Sequence, residues 1–391
     1  MVAPAVISQE SPSPVSLVHD FFVAWGGAEV VVDAFSQAFP DAPLYASVDF
    51  PETRHAPLDS KQIHTSFLQK FPFLKTYLLE IYKFLLPLAF SSFTFSKHTK
   101  VVLSDTSSFA KHIIPPPGAI HLSYIHTPPR FLWNMPPSKK VRSNLFLRFM
   151  WNLLFGSSFK VADYLHAQRV HGLIANSEEV AQRIRKFYRR EPIAILNPPV
   201  YVKKLNAMLP TQKIEISDYF LAFGRIELYK NFDKLVKIWP PGFTLKIAGT
   251  GSQENEIKAL IKNNPNITFL NEYVSDAEKG LLFAQSRGFL YPNIEDFGIM
   301  MVEAIAVGTP VITFAQGGGK EIVTHHKNGY LIPSLAQEHL IPALKWCNTL
   351  ERTAKQRKEF YEAMVKYDID SFIGKIQQVV EHQRATHEKI L

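Results

Sequence analysis

The chain has 391 residues, 46% hydrophobic and 20% charged, with 18 Gly and 27 Pro. At about 100 to 200 residues per domain this length gives two domains, and the composition excludes disordered, collagen-like and coiled-coil readings. A net charge of +8 calls for an anionic partner, and a single cysteine, Cys347, excludes a disulfide framework or a Cys-rich zinc site and fits a reducing compartment.

Residues 1–14 carry neither a basic n-region nor an apolar h-region, so they read as a flexible tail rather than a signal peptide. The longest uncharged apolar run, Phe84 to Phe95, is 12 residues with a proline inside. About 20 are needed to span a bilayer, so a cytoplasmic protein without a transmembrane helix is expected.

Short apolar runs then alternate with amphipathic stretches, the pattern of βα units around a parallel sheet. The first series predicts strands at Val15–Val18, Leu44–Val48, Val101–Ser104, Leu122–Ile125, Leu173–Ala175 and Ile193–Leu196. It predicts helices at Ala28–Phe39, after Gly26 and Gly27, and at Glu178–Tyr188, capped by Asn176 or Ser177. Pro198 and Pro199 end this N-terminal domain, 15–200, and the aperiodic stretch 201–218 is expected as a linker.

The second domain, 219–350, predicts strands at Tyr219–Gly224, Thr244–Ala248, Ile267–Leu270, Gly288–Tyr291 and Pro310–Phe314. Its helices are expected at Asn231–Trp239, Glu254–Asn263, Asp276–Gln285 and Phe297–Val307. The segment 351–391 has a helical pattern and is expected to pack back on the first domain. The fold class is α/β: two Rossmann-like, doubly wound parallel-sheet domains facing across a cleft, with ligands at the carboxyl ends of the strands.

The most informative segment runs from Tyr291 to Ala304. A strand ends, a polar loop follows, and a helix opens near Phe297, so the free N–H groups of Phe297, Gly298 and Ile299 suit an anion. Gly298 permits close backbone approach. Glu295 in the loop and Glu303 two turns into the helix would repel phosphate but accept hydrogen bonds from diols. A phosphate flanked by two hydroxyl-bearing rings is a nucleoside diphosphate sugar. Arg225, at a strand end after Gly224, and Lys230, at the next helix start, are the cations a diphosphate leaving group needs; on that reading no metal or other cofactor is required. In the first domain Gly26 and Gly27 open a helix directly after the first strand, while His19 and Asp20 at that strand's end either touch an acceptor or brace the strand.

These residues resemble the retaining glycosyltransferases of family 4, which have the GT-B fold. The pieces are the Glu295/Glu303 pair, Gly224-Arg225 with Lys230, Ser123 to Pro128, Ile174 to Ser177, and Gly317 to Glu321. Val18-His19-Asp20, Gly26 to Glu29, Phe39 to Ala42 and His126 to Arg130 look like the GDP-mannose-dependent mannosyltransferases of surface polysaccharide assembly. The resemblance implies that Glu303 binds the ribose, Glu295 the transferred sugar, Arg225 and Lys230 the diphosphate, and Phe297, Gly298 and Ile299 sugar and phosphate through backbone. It also implies that Gly27, beside Gly26, meets phosphate from the opposite domain, that the backbone at Val274 meets the base, and that His126 contacts the donor sugar near the anomeric centre. Glu295 is then a positioner, not a double-displacement nucleophile.

The implied reaction moves a hexose, mannose from GDP-mannose, to a glycan or lipid-linked glycan. The alternatives are a UDP-sugar donor, a catalytically idle nucleotide-sugar-binding protein, and an epimerase or phosphorylase on the same fold. Gly317 to Gly319 can also be a helix-start turn capped by Glu321. From Ala110 to Ser177 eight Lys or Arg, among them Lys111 and Arg130, face a single acid, Asp163, among aromatics. Such a face can dock on an anionic membrane surface, peripherally on the inner side of the cytoplasmic membrane; no nucleic-acid module is present.

Overall fold

The computed structural model describes residues 13–74, 82–133, 135, 156–210, 212, 214–272 and 274–389. The first sheet contains β1 (Val15–His19), β2 (Leu44–Ala46), β3 (Ile63–Thr65), β4 (Val101–Thr106), β5 (Ile120–Ile125), β6 (Gly172–Ala175) and β7 (Ala194–Ile195). The second contains β8 (Phe220–Phe223), β9 (Leu245–Ala248), β10 (Ile267–Leu270), β11 (Gly288–Tyr291), β12 (Val311–Phe314) and β13 (Gly329–Ile332). The strand orders are β3-β2-β1-β4-β5-β6-β7 and β10-β9-β8-β11-β12-β13, and every recorded strand pairing is parallel. Each sheet thus winds outward in both directions from its first strand, and the order reverses between β1 and β4 and between β8 and β11. A crevice opens at such a switch point.

The central strands are apolar because helices cover both of their faces: every residue of β1, β4, β5 and β11 is buried. Four of the described α-helices start where a short polar side chain satisfies a free N–H group. Ser177 Oγ accepts from Val180 N at 3.2 Å to open helix Glu178–Tyr188. Ser275 and Glu278 form a reciprocal box at the start of helix Asp276–Gln285. Two strands go beyond the sequence reading, β3 and β13, and both are edge strands.

The stretch 201–218 carries a short helix, Val202–Ala207, whose Val202 and Leu205 enter the core of the second domain. The C-terminal segment divides. Helix Ala354–Met364 stays with the second domain, burying Phe360 and Met364 in its core. Helix Ile369–Glu388 crosses to the first domain and lies against helix Gly27–Ala38, with the Phe372 ring 5.9 Å from both Phe35 and Tyr124. The crossing point is tied by Val200 N to Tyr367 O at 2.9 Å and Ile369 N to Val200 O at 3.1 Å. Among the described residues no helix is long and apolar enough to cross a membrane.

One glycine holds the loop after β8 in place. Gly249 has φ +131°, and a Cβ there would stand 2.0 Å from the carbonyl oxygen of Gly224. Gly249→Ala must therefore displace backbone as well as strain its own, and is expected to cost about 2 kcal/mol or more of stability, read as a lower midpoint in urea denaturation.

Candidate active site

The first domain gathers its site residues at the ends of β1, β4 and β5, where the strand order reverses. His19 is the last residue of β1, Asp105 lies near the end of β4, and His126 follows β5. The Asp105 carboxylate is buried and takes one imidazole on each oxygen: His19 Nδ1 at 2.8 Å on Oδ2 and His126 Nε2 at 2.5 Å on Oδ1. Beyond His19, its Nε2 faces Glu29 Oε1 at 3.5 Å, in the first turn of helix Gly27–Ala38. Since an ionised carboxylate only accepts, both imidazoles donate to Asp105. The one ring nitrogen of His126 left for a substrate is Nδ1.

Burial works against charge on His19, but its hydrogen bond to Asp105 and the facing Glu29 carboxylate outweigh it and bring the pKa up to about 10. Burial opposes the His126 charge too, and Asp105 again overcomes it, so that pKa also lies above its ordinary value. Asp105 responds in kind: burial would raise it, yet the two imidazoles hold it below the usual carboxylate range.

The backbone of His126 is fixed by its own N–H on Thr106 O at 3.0 Å and by Asn176 Nδ2 on its carbonyl at 3.0 Å. Asn197 Nδ2 in turn holds Asn176 O at 3.1 Å. Asn176 thus braces the His126 loop while its neighbour Ser177 caps a helix. Asp20 is a brace as well: its buried carboxylate accepts from the N–H groups of Ser107, Ser108, Phe109 and Ala110 at 2.6 to 2.9 Å. Of the two roles the sequence left open, its side chain is turned to the second.

The second domain mirrors this at its own switch point. Lys230, at the end of the 3-10 turn Leu228–Lys230, is buried, pairs with Glu295 Oε1 and donates to Tyr291 Oη at 3.2 Å. Burial disfavours its ammonium, but Tyr291, Glu295 and Tyr229 hold its pKa above the ordinary lysine value. Glu295 Oε1 also accepts from Asn293 Nδ2 at 2.6 Å, and Asn231 Nδ2 ties Pro292 O at 2.9 Å. Arg225 does not share this setting. β8 ends at Phe223, and Arg225 stands on the following turn with an exposed side chain, because Gly224, at φ +145°, swings the chain away from the sheet.

The helix expected from Phe297 spans Ile299–Ala306. Gly298 at φ +111° delays its start, and the ring of Phe297 is driven into the core, 5.4 Å from Tyr367. The N–H groups of Gly298 and Ile299 remain at the helix entrance, whereas that of Phe297 lies before it. Gly26 is half-buried beside Glu29, and a Cβ on Gly27 would come 3.0 Å from Ile299 Cδ1, so the two domains nearly touch at this entrance. Glu303 is gripped by Lys279 Nζ at 2.8 Å; Lys279, which also bonds Asp276 at 3.0 Å, has its pKa raised by these carboxylates against the effect of burial. Val274 is half-buried just ahead of the helix that carries Lys279. Among the described residues no group of three His, Cys, Asp or Glu could hold a metal ion.

Gly317 and Gly318 serve the Glu295 loop. A Cβ on Gly317 would lie 2.6 Å from Glu295 O and one on Gly318 2.4 Å from Asp296 O, and Gly318 N donates to Glu295 O at 2.8 Å. Glu321 does not cap its own turn: its carboxylate accepts from Glu178 N at 3.0 Å and Glu179 N at 3.2 Å, capping a helix of the opposite domain. Asp296 crosses the same cleft to Arg130 Nη2 at 2.6 Å and to Arg183.

Two cations of the expected basic face turn inward. Lys111 is 1% exposed and lies 2.5 Å from Asp163, which also accepts from Trp133 and Tyr188. Arg130 is drawn into the cleft by Asp296. Each of these two has a carboxylate to neutralise, whereas Lys160 is half-buried and Arg169 exposed; Lys139, Lys140, Arg142 and Arg148 lie outside the described residues.

Against known proteins, the chain is similar along almost its whole length to the crystal structure of Anabaena Alr3699/HepE in complex with UDP, with a TM-score of 0.66 and 16% identity, covering 94% of this chain and 100% of that one. The architecture is the GT-B fold. Residues 210–383 match the family model described as glycosyl transferases group 1. The O-antigen chain mannosyltransferase RfbU of Salmonella typhimurium is 29% identical over 168 residues, 41% of this chain and 46% of that one. The GtfA subunit of a Streptococcus pneumoniae UDP-N-acetylglucosamine–peptide N-acetylglucosaminyltransferase is 23% identical over 251 residues, 62% and 49% respectively. The chain spans about half the length of the curated relatives it matches.

The raised His19 pKa has a stability consequence. Its folded value of about 10 lies above the free value of 6.5, so its contribution is complete below about pH 6.5 and is lost as the pH rises through about 10. His19→Gln strips Asp105 and Glu29 of a buried partner and is expected to cost about 3 kcal/mol at pH 6. The gap from wild type should narrow steadily toward pH 10 in paired denaturation curves; a gap that is constant with pH would contradict the assignment.

Proposed function

We propose that the chain is a retaining, metal-independent glycosyltransferase that moves a hexose from a nucleoside diphosphate sugar to a glycan or lipid-linked glycan acceptor. The observation that carries this reading is the Lys230–Glu295 pair, on the loops that follow β8 and β11, just ahead of the helix entrance at Gly298, where Ile299 meets Gly27 of the other domain. A buried ammonium, free helix N–H groups and a carboxylate for sugar hydroxyls are thereby assembled at one cleft.

On this reading Lys230, with Arg225 reaching in from its exposed turn, takes the charge that grows on the diphosphate as the glycosidic bond breaks. Glu295 positions the sugar, and Glu303 the ribose, each giving up part of its hold on a lysine to do so. His126, with Nε2 committed to Asp105, turns Nδ1 to the donor sugar. GDP-mannose is the donor favoured by the sequence resemblance, and the name of the Salmonella relative states mannosyl transfer; a UDP-sugar is favoured equally by the pneumococcal relative and the Anabaena complex, whose names state UDP.

A thermal-shift panel of GDP, UDP, ADP and their common sugars separates these donors, since a ligand that binds only the native state raises the melting temperature according to its affinity. Binding without turnover on any glycan acceptor would favour the idle binding protein instead. Replacing Lys230 or Arg225 by Ala is expected to lower turnover about 10²-fold or more, and Glu303→Ala to weaken nucleotide binding. Near-normal rates in either cation variant would remove that residue from the mechanism.

A further inference from the structure

Beside the donor residues lies a separate cavity of about 310 Å³, lined by Arg130, Glu179, Gln182, Arg183, Lys186 and Phe187 among others. None of Lys230, Glu295 or Glu303 lines it. Its walls carry three cations and one carboxylate. Arg183 spends Nη1 on Thr127 Oγ1, at 2.9 Å, and on Asp296, and Nη2 on Glu179 at 3.2 Å. Arg130 reaches the same Asp296 oxygen with Nη2 at 2.6 Å. Asp296 and Glu179 thus partner the two guanidiniums, each with five N–H donors, and with Lys186 the group Arg130, Arg183, Lys186, Glu179 and Asp296 keeps a positive charge. Lys186 is exposed at the rim, its Nζ 5.4 Å from the centre of the Phe187 ring. That ring stacks on Trp133 at 5.0 Å, and Trp133 is anchored by Nε1 on Asp163 at 2.8 Å.

We infer that this cavity is a second anion site, on the acceptor side of the cleft, built for the phosphoryl group of a phosphate ester. Two guanidiniums whose donors are only partly used, with an ammonium at the rim, fit a tetrahedral dianion better than a single carboxylate does. The fixed Phe187 face gives the ester's organic body a surface to pack on. The site also communicates with the donor side. Asp296 directly follows Glu295, so an anion that takes Arg130 and Arg183 competes with Asp296 for them and loosens the tether of the Glu295 loop. The anion site stands on the cavity alone; its link to catalysis rests on the function proposed above.

Phenyl phosphate, inorganic phosphate and phenyl β-glucoside, titrated into the full chain by calorimetry, test the assignment. Phenyl phosphate is expected to bind saturably, inorganic phosphate more weakly, and the uncharged glucoside not at all. Lys186→Ala, an exposed change that spares the fold, should weaken phenyl phosphate about fivefold while UDP and GDP affinities stay within twofold. Asp296→Asn should tighten the ester severalfold, because it removes the charge that Arg130 and Arg183 share while Arg183 stays aimed by Glu179 and Thr127; a merely structural role for Asp296 would not give that sign. Ester binding that is indifferent to Lys186→Ala, or that disappears in Lys230→Ala instead, would overturn the site, and equal affinity for inorganic phosphate would overturn its assignment to an ester. Should the donor reading itself fail, UDP and GDP bind no variant, yet the ester titrations still read this cavity.

Discussion

Each half of the cleft is organised around a charge that has been taken out of water and must be neutralised where it stands. In the first domain that group is the Asp105 carboxylate, held between His19 and His126; in the second it is the Lys230 ammonium, held by Glu295 with Tyr291 alongside. A buried charge without partners costs several kcal/mol, so these side chains are locked into place before any ligand arrives. Both clusters form at the points where strand order reverses, since only there do the ends of neighbouring strands diverge far enough to leave a crevice. The parallel sheets therefore fix where the charges go, and the charges fix which polar atoms remain free: Nδ1 of His126 on one side, the helix entrance at Gly298 on the other.

The same logic explains what was legible in the sequence. Strands buried on both faces read as apolar runs, which is why the central strands of both sheets could be placed. β3 and β13 escaped because edge strands are short and half-covered: Ile63-His64-Thr65 has no buried residue and no distinctive period. Glu295, Lys230 and Gly298 were visible because loop, strand end and helix start are local signals. Asp105 was not, since its meaning depends on His19 and His126, 86 and 21 residues away. Lys279, 24 residues before its partner Glu303, is hidden for the same reason. Counting charge misjudged Lys111, because a formal charge does not reveal that Asp163 lies waiting in the interior.

The glycines of Gly317-Gly318 show how a motif can be right in place and different in cause. Their backbone lies where side chains would collide with Glu295, Asp296 and Phe297. They let one loop pack directly on another, and so set the height of the Glu295 loop above the sheet. Glu321, a few residues on, is pulled off its own turn by a better offer: two free N–H groups at the start of helix Glu178–Tyr188, where a helix dipole favours a negative charge.

The two domains are consequently joined by ties of opposite kind. Across the cleft run Asp296 to Arg130 and Arg183, and Glu321 to the helix entrance. The ionic side chains at Asp296 are 15 to 27% exposed, and partly wet pairs of this sort contribute about 0 to 1 kcal/mol each and weaken with salt. Away from the cleft, the chain crosses between domains at Val200 and again at Tyr367–Ile369, where backbone hydrogen bonds and the buried rings of Phe35, Tyr124 and Phe372 make the connection. Separating those rings would expose several large apolar side chains, at roughly 1.5 to 3 kcal/mol apiece. The weak, water-exposed tie sits at the cleft, and the strong, dry one sits away from it. An interface divided in this way yields first at Asp296 and Glu321, so the contacts that steady the Glu295 loop are the same ones that any opening of the cleft must release.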